Sequence, residues 1–282
     1  DLRARNMVPT TLQWDKVPHA KAYEILVDHE SMGTVTTTMF VDHDVQANET
    51  KTYEVRALNY NEQENVEGPL SDPLTVTVSG TQQHLFQKVQ TYMESTYSKN
   101  VSPEQVAVLP LDMQYQKTNY WCACATAQSI LRYYGIDLSQ AELAQAMNTR
   151  PPFGTYDKEL LKTLNQQLAP LGISYQIEHT KGDKQTSSNL DHFISQVQNN
   201  IDNGKPLAYS FFIHTIYGTS FATHNAPGIG YVMTSPNSHD FYIIYLDPLE
   251  KYASIQYGPM KISPATQFFQ AIHDACEPDY LY

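Results

Sequence analysis

Three things are scarce in this 282-residue chain: cysteine, basic side chains and long apolar runs. There are 3 cysteines, at positions 122, 124 and 276. So few cannot make a disulfide framework, and an odd count leaves at least one free thiol unless chains cross-link. Cys122 and Cys124 are too close in sequence to pair with each other easily, which leaves a Cys124–Cys276 bridge open. Lys and Arg total 18 against 30 Asp and Glu, a net charge of −12. That balance argues against nucleic acid or an anionic membrane surface as the main partner. No run of about 18 apolar residues occurs, so no membrane insertion is expected. Tryptophan is rare too (2, against 20 Tyr), and a tyrosine-rich, lysine-poor surface suits an exported protein. The chain begins Asp1-Leu2-Arg3 without an initiator Met. It reads as a processed product, so a missing signal peptide says nothing about export.

What is present is globular: 41 % of residues are hydrophobic and 17 % charged, over a length sufficient for two domains. Residues 1–80 read as an all-β module. Thr11–Trp14, Ala22–Val27, Thr52–Leu58 and Leu74–Val78 alternate as short strands. This stretch holds 13 acidic and 6 basic residues, −7 of the total −12, leaving 17 acidic and 12 basic, or −5, for residues 81–282. Trp14, Tyr23, the Tyr53-x-Val55-x-Ala57 strand and the loop Gly68-Pro69-Leu70-Ser71-Asp72-Pro73 together resemble a fibronectin type III domain. The resemblance implies a β-sandwich and a protein or cell-surface partner. Residues 81–98, with Leu85, Val89, Tyr92 and Tyr97 at helical spacing, predict a connecting helix after a hinge at Ser79-Gly80. Residues 99–282 form the second domain.

The informative stretch is Gln116–Gly135, QKTNYWCACATAQSILRYYG. Ala123, Ala127, Ile130, Leu131 and Tyr134 fall on one face of a helix, and Gly135 is placed to end it. Cys122 then sits at the first turn, where unpaired N–H groups and the helix dipole favour an anion such as a thiolate. Gln116, six residues upstream in a polar lead-in, is placed to fold back and donate to an oxyanion together with the Cys122 N–H. Cys124 is roughly 200° around the helix from Cys122 and reads as core. Further on, Leu138-Ser139-Gln140 opens a helix with Ser139 as N-cap, Asp157 caps a helix to Leu168, Ile173–Ile177 alternates like a strand, and Leu190–Asp202 is an amphipathic helix.

A second informative region follows. Pro206–Ile213 reads as an apolar strand. Thr223-His224-Asn225-Ala226-Pro227-Gly228-Ile229-Gly230-Tyr231-Val232-Met233 is another, with small residues after its histidine. Phe241–Leu246 is a third and ends at Asp247-Pro248. A helical half followed by a mostly antiparallel half makes the fold α+β. A cysteine hydrolase needs a thiolate, a base, a group orienting the base and oxyanion donors. Cys122, His224, Asp247 and Gln116 are the candidates in those roles. His214, ten residues earlier, is the rival base and lacks the small residues after it. A zinc site made of the three cysteines and a histidine is disfavoured, because Cys-x-Cys is not the usual ligand spacing.

Gln, five residues, Cys, small residues, then an apolar helix ending Tyr133-Tyr134-Gly135 resembles the papain-like cysteine peptidases. The closest likeness is to the branch of bacteriocin-leader (double-glycine) peptidases, in stand-alone form. Ala123 stands where that branch usually carries glycine. The resemblance implies a papain-like fold, a helical half facing an antiparallel sheet half across a cleft, with no cofactor and a peptide or protein substrate. It further implies a secreted bacterial protein, read also as an effector. Two other readings use the same residues: a non-catalytic binding module on a degenerate peptidase fold, and a deamidase or transglutaminase-type acyl transferase.

Overall fold

The computed structural model describes residues 2–5, 10–42, 49–60, 65–77, 80–181, 189–235 and 240–282. The chain divides into two compact units. The first is Asp1–Gln90 with Ser102–Glu104, the second Thr91–Val101 with Gln105–Tyr282.

The first unit is antiparallel β. Its strands are β1 (Leu2–Arg5), β2 (Thr10–Trp14), β3 (Ala22–Val27), β4 (Glu30–Val35), β5 (Met39–Asp42), β6 (Thr50–Tyr60), β7 (Asn65–Leu70) and β8 (Leu74–Thr77). One sheet has the order β1-β2-β5. The other runs β4-β3-β6-β7, with β8 also on β6. Alternation does the work: Tyr23, Ile25 and Val27 from β3, and Tyr53 and Val55 from β6, join Leu12, Trp14 and Val76 in one buried cluster. Trp14 meets Tyr23 edge-on at 5.4 Å. Tyr53 donates its hydroxyl to Asp42 Oδ2 at 2.8 Å, which satisfies a polar tip inside the core. The segment Gly68–Pro73 is not simply a loop. Gly68, Pro69 and Leu70 belong to β7, and only Ser71–Pro73 connects to β8. The β6–β7 ladder is irregular between Arg56 and Leu58, where a Cβ on Gly68 would meet Ala57 O at 3.0 Å. Such an irregularity is where a strand tolerates glycine and proline.

A helix, α1 (Gly80–Tyr97), follows. Its interior positions include Met93, fully buried, which the sequence pattern did not single out. From Thr91 onward it belongs to the second unit, where Tyr97 donates to Ile262 O at 2.8 Å and Tyr92 packs on Tyr257.

The second unit continues with β9 (Val106–Val108), α2 (Cys122–Tyr133), α3 (Gln140–Ala146), α4 (Asp157–Leu168), β10 (Ile177–His179), α5 (Leu190–Asp202), β11 (Leu207–Phe212), α6 (Ile213–Tyr217), β12 (Thr223–Met233), β13 (Phe241–Leu246), β14 (Met260–Pro264), α7 (Ala265–Asp274) and β15 (Asp279–Leu281). Helices α2, α3 and α4 come before most strands of an antiparallel sheet of order β10-β15-β11-β12-β13-β14, with β9 on β12, while α5, α6 and α7 are interleaved with its strands. The unit is α+β, as the order of elements predicts. Strand β12 is the axis: β11 pairs with Thr223–Gly228, β9 with Gly230–Val232, and β13 with Gly228–Met233. Helix α2 packs on β12 and against α3 and α4.

Helix α2 ends as predicted. Gly135 takes φ +81, its N–H bonds Arg132 O, and Ile136 N–H bonds Leu131 O, a Schellman closure. Ser139 caps α3 in a full capping box with Glu142. Several expectations need correction. Asp157 is not the cap of α4; that place is Tyr156, and Asp157 is the first helical residue, with its carboxyl turned to Ser210 Oγ at 2.7 Å. The strand after Gly172 starts at Ile177 rather than Ile173. Strand β11 stops at Phe212 and the chain turns at once into α6, which an apolar run alone does not announce.

The small residues after His224 have a packing reason. A Cβ on Gly228 would sit 2.2 Å from the Tyr209 ring, and one on Gly230 would sit 2.2 Å from Ala107 O. At Gly230 the obstacle is β9 backbone, which cannot swing aside. Gly230→Ala is therefore expected to destabilise the second unit by about 1–3 kcal/mol through overpacking. Urea denaturation measures it, and an unshifted midpoint would refute this account of β12.

Candidate active site

Three elements supply the site. Helix α2 brings Cys122 at its first position. Its N-cap, Trp121, makes no side-chain cap, so the first-turn N–H groups stay available for another acceptor. Strand β12 brings His224, opposite Phe211 of β11. Strand β13 ends at Leu246, and Asp247 follows. The Asp247 N–H is pinned to Pro259 O at 2.9 Å.

The structure brings Cys122, His224 and Asp247 together. His224 Nε2 lies 2.9 Å from Asp247 Oδ1, in a pair that is 3 % and 0 % exposed. Nε2 is taken up by Asp247, and the Cys122 thiol lies near enough to the same ring and to the backbone N–H groups of Asn225 and Ala123 for all three to lower its pKa. Cys122 itself is partly exposed, so the deep members of the set are the histidine and the carboxylate.

The charges are mutually dependent. Burial pushes the Cys122 thiol up, but the His224 contact and the two backbone N–H groups outweigh it and hold the pKa below its ordinary value. Burial alone would push His224 down. The bonds to Asp247 and Cys122 win and raise it to about 10. Burial likewise works against the Asp247 carboxylate, and His224, Tyr217 and the Leu249 N–H together keep it low. A raised histidine stabilises the fold below its ordinary pKa of 6.5, and that contribution is lost as pH climbs through about 10. The carboxylate's contribution is present above its ordinary 3.8 and is lost as pH falls below that value.

Gln116 is positioned by its loop, but no bond joins its side chain to Cys122. Its Nε2 donates to Thr118 O at 2.7 Å, and its Oε1 is buried without a partner among the described residues. Its backbone N–H bonds Pro248 O at 2.9 Å, which ties the lead-in to the residue after Asp247. Three buried polar side chains that periodicity cannot reveal hold that lead-in. Ser129 Oγ accepts from Gln114 N at 2.9 Å. Gln140 Oε1 accepts from Lys117 N at 2.9 Å, and its Nε2 donates to Tyr115 O and Gln128 Oε1.

Cys124 is fully buried, with its sulfur 3.4 Å from Thr149 Oγ1, and burial pushes its thiol up. Cys276 is exposed, and all three cysteines are free, so the Cys124–Cys276 bridge is not formed. His214 lies in α6, its Nδ1 2.8 Å from Thr219 O and its ring stacked on Phe221. Ala123 is helical and has no positive φ, so its substitution for glycine carries no backbone strain. Among the described residues no group of three or more His, Cys, Asp or Glu side chains could hold a metal ion.

The residue that sequence reasoning missed is Tyr217. Its hydroxyl donates to Asp247 Oδ2 at 2.6 Å. It lies in the helix that the apolar run of β11 concealed, so no periodic signal marked it.

A thiol at a helix start, set against a histidine–carboxylate pair on an antiparallel sheet, is the arrangement that thiol-dependent acyl transfer requires. Comparison with known proteins agrees with that class. Residues 108–276 match the model of the Peptidase_C39 like family, and the chain belongs to that family. Family membership supports a cysteine peptidase. Among solved structures, the chain is similar to the peptidase domain of Streptococcus ComA, described as a bi-functional ABC transporter involved in a quorum sensing pathway. The identity is 16 %, over 61 % of this chain and 96 % of that one, with a TM-score of 0.38. No curated protein matches the chain.

Replacing Asp247 by Asn removes the charge that holds the imidazolium. His224 is then expected to titrate about one to three pH units lower, read by NMR of the ring. An unchanged titration would mean that Asp247 does not support the histidine.

Proposed function

We propose that this protein hydrolyses a peptide or related amide bond through Cys122, His224 and Asp247. The observation that carries the reading is the buried His224–Asp247 bond with the Cys122 thiol beside the same ring. The Cys122 thiolate attacks the scissile carbonyl carbon and an acyl-enzyme forms. His224 holds the thiol proton and gives it to the leaving amine. It then takes a proton from the water that releases the acyl group. Asp247 fixes the tautomer and supports the imidazolium. The Gln116 amide keeps a second N–H beyond its bond to Thr118 O. With the Cys122 N–H it stabilises the oxyanion.

The N-terminal unit is read as a fibronectin type III-like sandwich. Its two sheets share the Trp14–Tyr23–Tyr53 core, and its role is to meet a protein or cell-surface partner. The protein is read as a secreted bacterial enzyme. No helix of the described residues is long and apolar enough to cross a membrane.

The decisive test is iodoacetamide alkylation against pH, with each cysteine quantified by mass spectrometry. Cys122 is expected to react with an apparent pKa well below the free-thiol value of about 8.5. His224→Ala is expected to abolish that advantage and lower amide hydrolysis at least about a hundredfold. If Cys122 reacts like a model thiol, the protein is a binding module. Release of ammonia from a glutamine-containing substrate without chain cleavage would instead indicate deamidation. Gln116→Ala is expected to lower kcat by about 10²–10³ and leave the Cys122 alkylation profile in place. An unchanged kcat would remove Gln116 from the oxyanion site.

A further inference from the structure

We propose that Tyr217 is a positioning residue for the reaction: its hydroxyl locks the Asp247 carboxylate so that Oδ1 remains on His224. This rests on reading Asp247 as the group that orients the histidine.

A carboxylate turns about its last torsion with a broad, two-fold preference, so a donor on one oxygen alone does not fix its plane. Asp247 has donors on both. Oδ1 meets His224 Nε2 at 2.9 Å and accepts from Leu249 N at 2.8 Å, and Oδ2 accepts from Tyr217 Oη at 2.6 Å. Tyr217 Oη also lies 3.0 Å from Tyr245 Oη. Tyr217 has one proton and gives it to the carboxylate, so the proton between the two hydroxyls comes from Tyr245. The result is a directed chain, Tyr245 to Tyr217 to Asp247, in which each bond polarises the next. Burial and the neighbouring carboxylate push the Tyr217 phenol far up, so it remains a donor at every working pH.

The ring is held independently of Asp247. It stacks on Tyr252 at 4.2 Å, and α6 is fastened to α7 by Thr215 Oγ1 to Asp274 Oδ2 at 2.7 Å and by Gln267 Nε2 to Thr215 O at 3.1 Å. Gly218, at φ +65, ends α6 immediately after Tyr217. The hydroxyl is thus delivered by a rigid element, as a pre-organised contact must be. Without it, Oδ2 would lose a charge-assisted donor inside a fully buried site. The carboxylate would be held less firmly and would turn Oδ1 away from His224 Nε2 for part of the time. The imidazolium, and with it the Cys122 thiolate, would be less stable.

The test is the alkylation profile of Cys122 in Tyr217→Phe, which keeps the ring and its stack and deletes only the hydroxyl. The thiolate pKa is expected to rise by about half a unit, roughly a threefold smaller thiolate fraction at pH below it. Thr215→Val, which cuts the α6–α7 bond and leaves Asp247 alone, is expected to lower the melting temperature without moving the profile. A folded Tyr217→Phe protein with the wild-type profile, or with a lower thiolate pKa, overturns the proposal while the Cys122 reading stands. An equal shift in Thr215→Val also overturns it, because helix integrity would then be the cause. A wild-type Cys122 that titrates like a model thiol overturns both readings. Should Tyr217→Phe fail to fold, Tyr245→Phe removes the donor behind Tyr217. It is expected to shift the profile the same way by less, and no shift would overturn the proposal.

Discussion

A carboxylate with no exposure to water has to stay charged, and the rest of the site is arranged around that requirement. Asp247 is fully buried, where an unpaired anion would neutralise itself instead. Donors from three directions prevent this: the imidazole of His224, the hydroxyl of Tyr217 and the backbone N–H of Leu249. His224 in turn is charged only because carboxylate and sulfur flank it. Removing any one member leaves another as an uncompensated buried charge, which is why such sets behave as a unit.

The sheet supplies the accuracy that this arrangement demands. Gly228 stands opposite Tyr245 in the β12–β13 ladder. Continuing that register by two residues places Asp247 level with Ala226 and diagonal to His224, within side-chain reach. A slip of one residue would turn the histidine to the other face. The register is held by the irregularity between Gly228 and Gly230, where Ile229 O leaves the β13 ladder to accept from Leu109 N at 2.7 Å. Glycine is needed on both sides of that point because Tyr209 and β9 press against the strand there. The small residues after the histidine are therefore part of what aims it.

The α+β class, the span of α2 and its stop at Gly135, and the seating of Cys122 on a helix start, of His224 on a strand and of Asp247 at a strand end could be read from the chain. Each leaves a local mark: a 3.6-residue period, a glycine at a helix end, a polar residue ending an apolar strand. Helix α6 left none. Ile213 continues the apolar run of β11, and the change from strand to helix is decided by what α6 packs on, which is distant in sequence. Tyr217 was illegible for the same reason. Asp157 misled in the opposite direction. It stands where a capping residue usually stands, yet its carboxyl is drawn to Ser210 on β11, a contact across 53 positions that outweighs the local preference. Strands β1, β4, β5, β7, β9, β14 and β15 were missed because edge and short strands carry little alternation.

The buried polar residues follow a common pattern. Gln128, Ser129 and Gln140 are all interior, and alkyl side chains of similar size would pack there without the need for matched partners. Their bonds run to the backbone of residues 114–117 and 138, so they hold a loop that has no ladder of its own. The same holds on the sheet side. Asn225, whose backbone N–H helps to lower the Cys122 pKa, donates from Nδ2 to Ser210 Oγ at 3.1 Å, and Ser210 donates to Asp157. Burial raises the Asp157 carboxyl well above its ordinary range, and the bond from Ser210 works against that shift. In both places polar side chains occupy core positions and meet matched polar partners there. Hydrophobic packing alone would stabilise the fold but would not fix the direction of those groups, which a hydrogen bond does.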